Sequence, residues 1–355
     1  MNTNIELKNI NKHFFPELEK DEYASKTKKY KTKIINYSFN AINEAFISDK
    51  IQKMRYYSNN YAIVEYYDFI NISQINGKII EKLNLKDEKK YLIFKYKNDN
   101  FVPFNDFILN LDTPKLFILN TIESFSYLLN SLIKLNENNI CFFNLSPQNI
   151  VFNLDCGEKP IIHNFQLSLQ ISKLNEEYIT NIINTLDDYT HKPIEVHILF
   201  YLIKNDISTI SYSFIEEICE KFMKNNSILD LFTEKYKETY INSCIEYLKK
   251  YINKPKSYII TDILEQNDKW DVYSISLLYL HIFGNISRVF SLKQNFISKI
   301  INDLMKNISI DPSKRSTLEN LKENYEKYLN DENDWSFVNK LSLNKMSQLI
   351  EILGK

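Results

Sequence analysis

Three asparagines are the side chains of this 355-residue protein whose types and spacing suggest chemistry. Asn144 and Asn149 lie in the segment FFNLSPQNI (142–150), and Asn164 opens the segment NFQ (164–166). An amide oxygen can ligate a hard cation such as Mg²⁺, although it brings no charge to the metal. An amide cannot act as a general base, and the loss of such a base costs roughly 10²–10⁴ in rate. Side chains of this type could therefore ligate a cation weakly, but they could not accept a proton in a reaction.

The four glycines exclude one large class of phosphate site. They are scattered along the chain at positions 77, 157, 284 and 354. Phosphate-binding loops of the GxGxxG and GxxxxGK[ST] types need clustered glycines, so neither type is present. Only three of the 44 basic residues are arginines, a bias typical of an AT-rich genome. A single Lys or Asn is therefore weak evidence for a site, whereas a well-placed Arg or Gly is stronger evidence.

The composition indicates a folded intracellular protein. Hydrophobic residues make up 44% of the chain and aromatic residues 14%, which is ample for a sizeable core. The net charge of −1 gives no basic surface for nucleic acid. The four cysteines form no CxxC pair and suit a reducing compartment. The N-terminal residues contain no signal-peptide apolar region, and we expect no membrane span.

Apolar patterns predict a small mixed region before the first asparagine. The Lys-rich residues 1–37 are expected to form a loop or an edge strand. Residues 38–54 show helical periodicity, and residues 61–70 and 91–96 are β-branched and aromatic runs that predict strands. The N-terminal part of the chain should therefore contain a small sheet and one helix.

A long helix and a hairpin should position the asparagines. Thr113 and Pro114 are typical of an N-cap and a first helical residue, and the apolar periodicity that follows ends near Asn138. Two short apolar runs around Gly157, at 149–154 and 160–163, predict a hairpin whose turn needs a positive φ. The remaining chain is mostly helical in pattern. The predicted fold class is therefore α+β, with a small mixed part joined to a large helical part.

Five short segments, taken in order, resemble the signatures of eukaryotic protein kinases. Besides 142–150 and 164–166, they are Pro193-Ile194-Glu195, Trp270-Asp271-Val272-Tyr273-Ser274 and Asp311-Pro312-Ser313-Lys314-Arg315-Ser316-Thr317. They are similar to the HRDLKPxN catalytic loop, DFG, APE, the DxWS helix start and the closing DPxKR segment. The resemblance covers about residues 38–330.

The resemblance implies a bilobal kinase-like architecture. A reduced small lobe with an antiparallel sheet would span residues 1–97, and a mainly helical large lobe would span 98–330. A helical tail would follow at 331–355. Many more residues separate Glu195 from Asp271 than in typical kinases, so a helical insertion is expected at about 200–266.

The resemblance also assigns three structural residues. Asp271 should cap the central helix of the large lobe and hold the backbone of the catalytic loop. Glu195 and Arg315 occupy the positions of a buried bidentate ion pair. These residues match the kinase pattern.

The residues at the chemical positions depart from that pattern. Asn144 stands in place of the catalytic Asp, and Asn164 in place of the Mg²⁺-binding Asp of DFG. Ser146 replaces the lysine of the loop, and Gln166 replaces the DFG glycine. Asn149 keeps its metal-ligand type. Two phenylalanines replace the His-Arg pair of the loop, at positions 142 and 143.

In the small lobe, the phosphate-positioning lysine would have to be Lys33, with Glu44 as its partner. The spacing between these two residues is shorter than kinases use, and Lys33 lies in a lysine-rich run. Lys33 is therefore a weak candidate for cofactor binding, as is Asn149.

The sequence favours a pseudokinase that acts as a protein-binding scaffold. One alternative is a divergent Ser/Thr kinase that uses Asn149, Asn164 and an unorthodox lysine. Another is a sensor that binds ATP without transferring phosphate. No cofactor is expected under the first hypothesis, whereas ATP and Mg²⁺ would belong to the alternatives.

Several segments look like kinase-like proteins of large DNA viruses of protists, among them PIEVH (193–197) and KWDVYSISLLYL (269–280). This resemblance implies a viral protein in the host cytoplasm or the virion, with viral or host protein partners. The five histidines show no metal-ligand spacing. The apolar run from Leu343 to Leu353 predicts an amphipathic helix that packs on the domain or binds a partner.

Overall fold

The computed structural model describes residues 30–354 apart from 76, 87–88, 112, 187–188, 190, 293–294, 332–337 and 339–340. Residues 1–29, which carry most of the predicted Lys-rich loop, lie outside the described residues. The described chain is mixed α/β, mainly helical with three small sheets.

The strands of the described residues come mostly from the N-terminal half. They are β1 (Tyr30–Asn36), β2 (Tyr61–Ala62), β3 (Tyr66–Ile70), β4 (Tyr91–Lys97), β5 (Phe101–Pro103), β6 (Ile140–Cys141), β7 (Ile150–Asn153), β8 (Lys159–His163) and β9 (Leu169–Gln170).

The helices of the described residues alternate with these strands and then continue alone. They are α1 (Phe39–Gln52), α2 (Gly77–Leu83), α3 (Phe104–Leu109), α4 (Pro114–Glu137), α5 (Glu176–Thr185), α6 (Ile194–Lys204), α7 (Tyr212–Asn225), α8 (Glu234–Leu248), α9 (Lys256–Leu264), α10 (Trp270–Phe290), α11 (Phe296–Asn307), α12 (Leu318–Asn330) and α13 (Leu343–Leu353).

The first sheet is antiparallel, with the strand order β1-β4-β3. Successive side chains of a strand point to opposite faces, so each face of this sheet can bury its own apolar set. One face packs Leu92 and Phe94 against Ala41 and Ala45 of α1. The opposite face forms a second cluster with α2, made of Ile70, Ile75, Ile79, Tyr91 and Ile93. The sheet is thus held between two helices.

The second sheet has the order β2-β8-β7-β5, with β2 parallel to β8 and the other pairs antiparallel. The prediction of one strand over 61–70 is wrong, because β2 and β3 belong to different sheets. Side chains of α1 bond the backbone between the two strands: Ser48 Oγ accepts from Val64 N, and Gln52 Nε2 donates to the carbonyls of Val64 and Glu65. These bonds satisfy backbone groups that a continuous strand would pair with a neighbour.

The hairpin β7–β8 positions two of the asparagines. Gly157 has φ +78° in its turn, as the sequence predicted, and the strands pair in register from Ile150–Ile162 to Asn153–Lys159. Asn149 directly precedes β7, and Asn164 directly follows β8. The register therefore brings these two residues to the same end of the hairpin.

Helix α4 follows its prediction closely. The Thr113 side chain caps it by accepting from Leu116 N at 3.3 Å, Pro114 is the first helical residue, and Asn138 is the C-cap. By length and composition α4 could cross a membrane, but most of it is buried inside the protein, and buried core helices pass the same test. Along α10, sixteen of 21 residues are buried, which makes it the central helix of the core.

The chain between Glu195 and Asp271 is helical. Helices α7, α8 and α9 lie within residues 200–266, where the sequence predicts helical structure. Helix α7 packs on α6 and on α8, while α9 packs on α6. A layer of helices therefore extends from α6.

Candidate functional site

The loop between β6 and β7 is held by Asp271 of α10. Its carboxylate accepts hydrogen bonds from Phe142 N at 2.7 Å and from Phe143 N at 2.8 Å. Asp271 is not the cap of α10, contrary to the sequence expectation, because the helix begins at Trp270 with Lys269 as its N-cap. Because Asp271 lies in the first turn of α10, its carboxylate can reach the loop. Asp271 thus fixes the backbone just before Asn144.

The two phenylalanines of this loop, Phe142 and Phe143, are core residues. Both are fully buried, and Phe143 adopts a positive φ of 63°. The Phe143 ring lies 5.2 Å from the ring of Trp270, and the Phe142 ring lies 5.3 Å from that of Phe165. A non-glycine residue in the left-handed region is strained. The bonds to Asp271 and the aromatic packing hold this conformation in place.

The three asparagines form a chain of hydrogen bonds. Asn164 Nδ2 donates to Asn149 Oδ1 at 2.9 Å. Asn149 Nδ2 donates in turn to the Asn144 carbonyl at 2.8 Å and to Ser146 Oγ at 3.2 Å. Asn149 is 5% exposed, and Asn164 has the left-handed φ of 65° that asparagine tolerates better than most residues. These bonds join the two residues that flank the open end of the hairpin to the loop, and no carboxylate takes part in them.

Lys192 is a member of the site that the sequence reasoning missed. This lysine is only 2% exposed, and its Nζ donates to the carbonyl of Phe143 and, at 3.3 Å, to Asn144 Oδ1. Nζ also lies 4.7 Å from the centre of the Phe143 ring. The sequence clue to Lys192 was its position three residues before Glu195, but the abundance of lysine in the chain concealed that clue.

Lys192 and Asp271 are two buried groups of opposite charge beside one loop. Burial raises the pKa of Asp271, whereas the two backbone N–H groups and the charge of Lys192 lower it. Burying a charge is costly unless it is paired and hydrogen-bonded. Each group therefore offsets part of the cost of burying the other.

A cavity of about 670 Å³ opens beside the asparagines, between the first sheet, α1 and the β7–β8 hairpin. Its walls include Lys33, Glu44, Tyr96, His163 and Asn164. Burial lowers the pKa of His163 and so favours its neutral form. A volume of this size is in the range of small-molecule sites. Gln166 also lines the cavity without filling it.

Lys33 and Glu44 face this cavity together. Burial raises the pKa of Glu44 from 4.5 to about 7, while Lys33 and the backbone of Phe165 oppose the rise. Lys33 Nζ lies 5.3 Å from the centre of the Tyr96 ring. Of the ion pairs within 4 Å in the described residues, none joins Lys33 to Glu44. The two side chains share a site without a direct salt bridge.

The segment that begins at Asn164 is fastened to α1. Asn43, which is 3% exposed, donates through Nδ2 to the carbonyls of Gln166 at 3.0 Å and Ser168 at 2.8 Å. Its Oδ1 accepts from the hydroxyl of Tyr178 on α5 at 2.6 Å. One buried amide thereby ties together α1, the 164–168 segment and α5.

Glu195 and Arg315 form an ion pair in the core. Arg315 NH1 lies 2.5 Å from Glu195 Oε1, and NH2 lies 3.0 Å from Oε2, so the pair is bidentate. The side chains are 1% and 0% exposed, respectively. Further bonds join Arg315 Nε to the Ser309 carbonyl at 2.8 Å and NH2 to the Ile310 carbonyl at 3.4 Å. The pair connects the start of α6 to the segment before α12.

Within the described residues, no group of three or more His, Cys, Asp or Glu side chains is arranged to hold a metal ion. The structure brings Lys33, Glu44 and Asn164 to one cavity, with Asn144, Ser146 and Asn149 behind Asn164. Glu195, Arg315 and Asp271 lie in the buried framework.

Comparison with known proteins gives no match to any family model. No curated protein matches either. Among solved structures, the chain is similar to the twitchin kinase region from C. elegans, with 10% sequence identity and a TM-score of 0.47. The match covers 93% of this chain and 46% of the twitchin chain, so this protein spans about half the length of that one.

Proposed function

We propose that this protein is a pseudokinase, a kinase-like protein without phosphotransfer activity, and that it acts by binding another protein. The observation that carries the proposal is the hydrogen-bonded chain Asn164–Asn149–Asn144. By the kinase resemblance, Asn144 and Asn164 stand where the kinase pattern has its two carboxylates, and Asn149 keeps the asparagine of that pattern.

The first missing function is the general base. Catalysis of this kind needs a group that accepts the proton of the substrate hydroxyl, and the amide of Asn144 has no such capacity. Lys192 Nζ, which donates to the same amide oxygen, places a positive charge there. That charge further opposes proton uptake at this position.

The second missing function is the metal site. Mg²⁺ is held by hard oxygen ligands, usually with one or two carboxylates among them. Here Asn149 Oδ1 already accepts a bond from Asn164, and both side chains are neutral. Glu44, one of the acids that line the cavity, has its pKa raised to about 7 by burial, and Lys33 stands beside it. The residues present do not fit Mg²⁺.

The buried residues Asp271, Glu195 and Arg315 support kinase-like ancestry, although the two carboxylates that kinase chemistry needs are replaced by asparagines. Asp271 bonds the loop backbone, and Glu195 pairs with Arg315, as the kinase resemblance implies. A fold that keeps its framework while it loses both carboxylates is suited to binding rather than to catalysis. The viral origin and the viral or host partner remain predictions of the sequence resemblance.

The decisive experiment is a phosphate-transfer assay with γ-labelled ATP, Mg²⁺ and generic protein substrates. Labelling should not exceed that of the Lys33→Met variant. Labelling by the wild-type chain that disappears in Lys33→Met would refute the proposal and favour the divergent kinase.

The cavity supports a second candidate function, the binding of a nucleotide without metal. Lys33 faces an open volume of about 670 Å³, and no partner within 4 Å neutralises it among the described ion pairs. Thermal unfolding with ATP in EDTA tests this candidate. A rise in midpoint that Lys33→Met abolishes, and that the exposed control Lys327→Met retains, would support it. A rise that appears only with Mg²⁺ would contradict the metal-free form.

A further inference from the structure

The walls of the 670 Å³ cavity, as the described residues form them, carry as many acids as lysines. The lysines are Lys31, Lys33 and Lys97, and the acids are Glu44, Glu65 and Asp99. When all six are ionised, three positive and three negative charges cancel. The chain has no glycine-rich loop whose backbone N–H groups could hold phosphate instead. By net charge, the cavity in this state does not attract a phosphate group.

Four of these six charged groups interact with one another. Lys97 Nζ lies 3.6 Å from Glu65 Oε1. Burial raises the pKa of Asp99, whereas the charges of Lys97 and Lys31 lower it. These interactions leave one lysine and one acid of the six.

Lys33 and Glu44 are this remaining pair, and no ion pair within 4 Å joins them in the described residues. Glu44 lies on α1 and is 9% exposed. Around it, β1 brings the ammonium group of Lys33, β4 brings the hydroxyl of Tyr96, and the segment after β8 brings the backbone N–H of Phe165. Helix α5 also packs on α1, but the hydroxyl of its Tyr178 bonds a different residue of that helix. The attraction that favours the Glu44 carboxylate therefore comes from Lys33 and one backbone N–H.

Protonation of Glu44 would leave the cavity with a net positive charge, because three lysines would then face two carboxylates. Burial already raises the pKa of Glu44 to about 7, so this carboxyl is half protonated near neutral pH. A phosphate beside Lys33 would bring a further negative charge close to Glu44, and a like charge favours the protonated carboxyl. Phosphate binding and proton binding in this cavity therefore reinforce each other.

We infer that the cavity binds the phosphates of a nucleotide together with a proton, which Glu44 takes up. The inference rests on the second candidate function proposed above, metal-free nucleotide binding, and names the condition that regulates it. Lys33 would contact the phosphates, and a neutral Glu44 would not compete with them for that lysine. The protein would hold a nucleotide in a slightly acidic medium and release it as the pH rises.

Binding of ATP in EDTA at pH 6 and at pH 8 tests this coupling, with Glu44→Gln as the matched control. Glutamine resembles protonated glutamate in shape but does not titrate. A terminal phosphate titrates near pH 6, but this contribution is the same for both proteins and cancels in the ratio of their association constants. Because the pKa of Glu44 is about 7, we expect the ratio of wild type to variant to fall about tenfold from pH 6 to pH 8. A ratio that stays the same, or rises, would overturn the inference.

His163 is another group on the cavity wall that could take up the proton. Burial lowers its pKa and so favours its neutral form. His163→Gln should therefore still lose affinity for ATP as the pH rises, in the same proportion as the wild type. A pH dependence that persists in Glu44→Gln and disappears in His163→Gln would show that the histidine takes up the proton, and the assignment to Glu44 would be wrong.

Calorimetry of the wild-type chain counts the proton without any variant. The heat of ATP binding at pH 8, measured in two buffers of different ionisation enthalpy, gives the number of protons taken up. We expect nearly one proton per ATP, because Glu44 is mostly ionised at this pH before the ligand binds. No uptake would overturn the inference even if Glu44→Gln failed to fold.

The outcomes separate this inference from the functions on which it rests. No binding of ATP at either pH would refute the second candidate function and the inference together. Binding with the same ratio at both pH values would keep the candidate function and overturn only the coupling. Phosphate transfer by the wild-type chain would refute the proposed pseudokinase, while proton uptake on ATP binding would still establish the coupling.

Discussion

Replacement of Arg315 by alanine should destabilise the protein strongly. The guanidinium makes two bonds to Glu195 and two to the carbonyls of Ser309 and Ile310, and it lies 4.9 Å from the centre of the Tyr273 ring. The whole residue is 3% exposed. Alanine would remove every one of these contacts at a site that water does not reach.

The magnitude follows from what the substitution leaves behind. Removal of one partner from a buried ion pair costs about 3–5 kcal/mol, because the other charge stays buried without compensation. In Arg315→Ala that charge is the Glu195 carboxylate. Replacement of both partners by apolar residues of similar size is often close to neutral, since no charge is left. We therefore expect Arg315→Met/Glu195→Met to regain most of the free energy of unfolding that Arg315→Ala loses.

Urea unfolding followed by circular dichroism measures these differences. The matched control is Lys314→Ala, which changes the neighbouring residue. The Lys314 side chain is 72% exposed and 4.0 Å from Asp311, so its loss should cost less than about 0.5 kcal/mol. An Arg315→Ala variant as stable as the control would refute the reasoning. A double variant at least as unstable as Arg315→Ala would show that the unpaired charge is not the cause.

Three smaller changes test other parts of the structure. Glu44→Gln should stabilise the protein by up to about 3 kcal/mol at pH 8, because the folded pKa of Glu44 is about 7 against 4.5 and each unit is worth about 1.4 kcal/mol. In the wild-type protein, the free-energy cost of burying Glu44 grows as the pH rises from 4.5 to 7, so the stability advantage of Glu44→Gln should vanish below pH 4.5. An advantage that does not change with pH in urea unfolding would contradict this. Asp271→Ala should cost about 3 kcal/mol and speed hydrogen exchange in the loop it bonds, whereas the exposed Asp268→Ala should do neither. Gly157→Ala should lower the free energy of unfolding by about 1 kcal/mol through its positive φ, while Gly77→Ala, with open space around it and no such φ, should change it little.

Local sequence rules predicted the elements that are set by residues next to them in the chain. Thr113 and Pro114 start α4, and Gly157 makes the turn of the hairpin, because each acts on backbone next to it in the chain. The break between β2 and β3 could not be seen in this way. It depends on Ser48 and Gln52, which reach the backbone of residues 64–65 from another element.

The candidate site could likewise be predicted from the sequence only in part. The types of Asn144 and Asn164 predict the loss of a base and of a charged metal ligand, and this stays a prediction. Their bonding to each other through Asn149, and the presence of Lys192, depend on side-chain positions that no spacing rule gives. The short spacing that counted against Lys33 did not prevent the fold from placing it beside Glu44, since β1 leads directly into α1.

The buried amide of Asn43 should couple the motions of the three elements that it joins. Because it bonds α1, the 164–168 segment and α5 at once, none of the three can move away without breaking a hydrogen bond that water cannot replace immediately. Amide protons of α1 and of residues 165–168 should therefore exchange with solvent through a single shared opening, with one common free energy of opening. A ligand in the 670 Å³ cavity that shifted α1 would therefore also shift α5, which contacts α1 directly and is bonded to it through Tyr178 and Asn43.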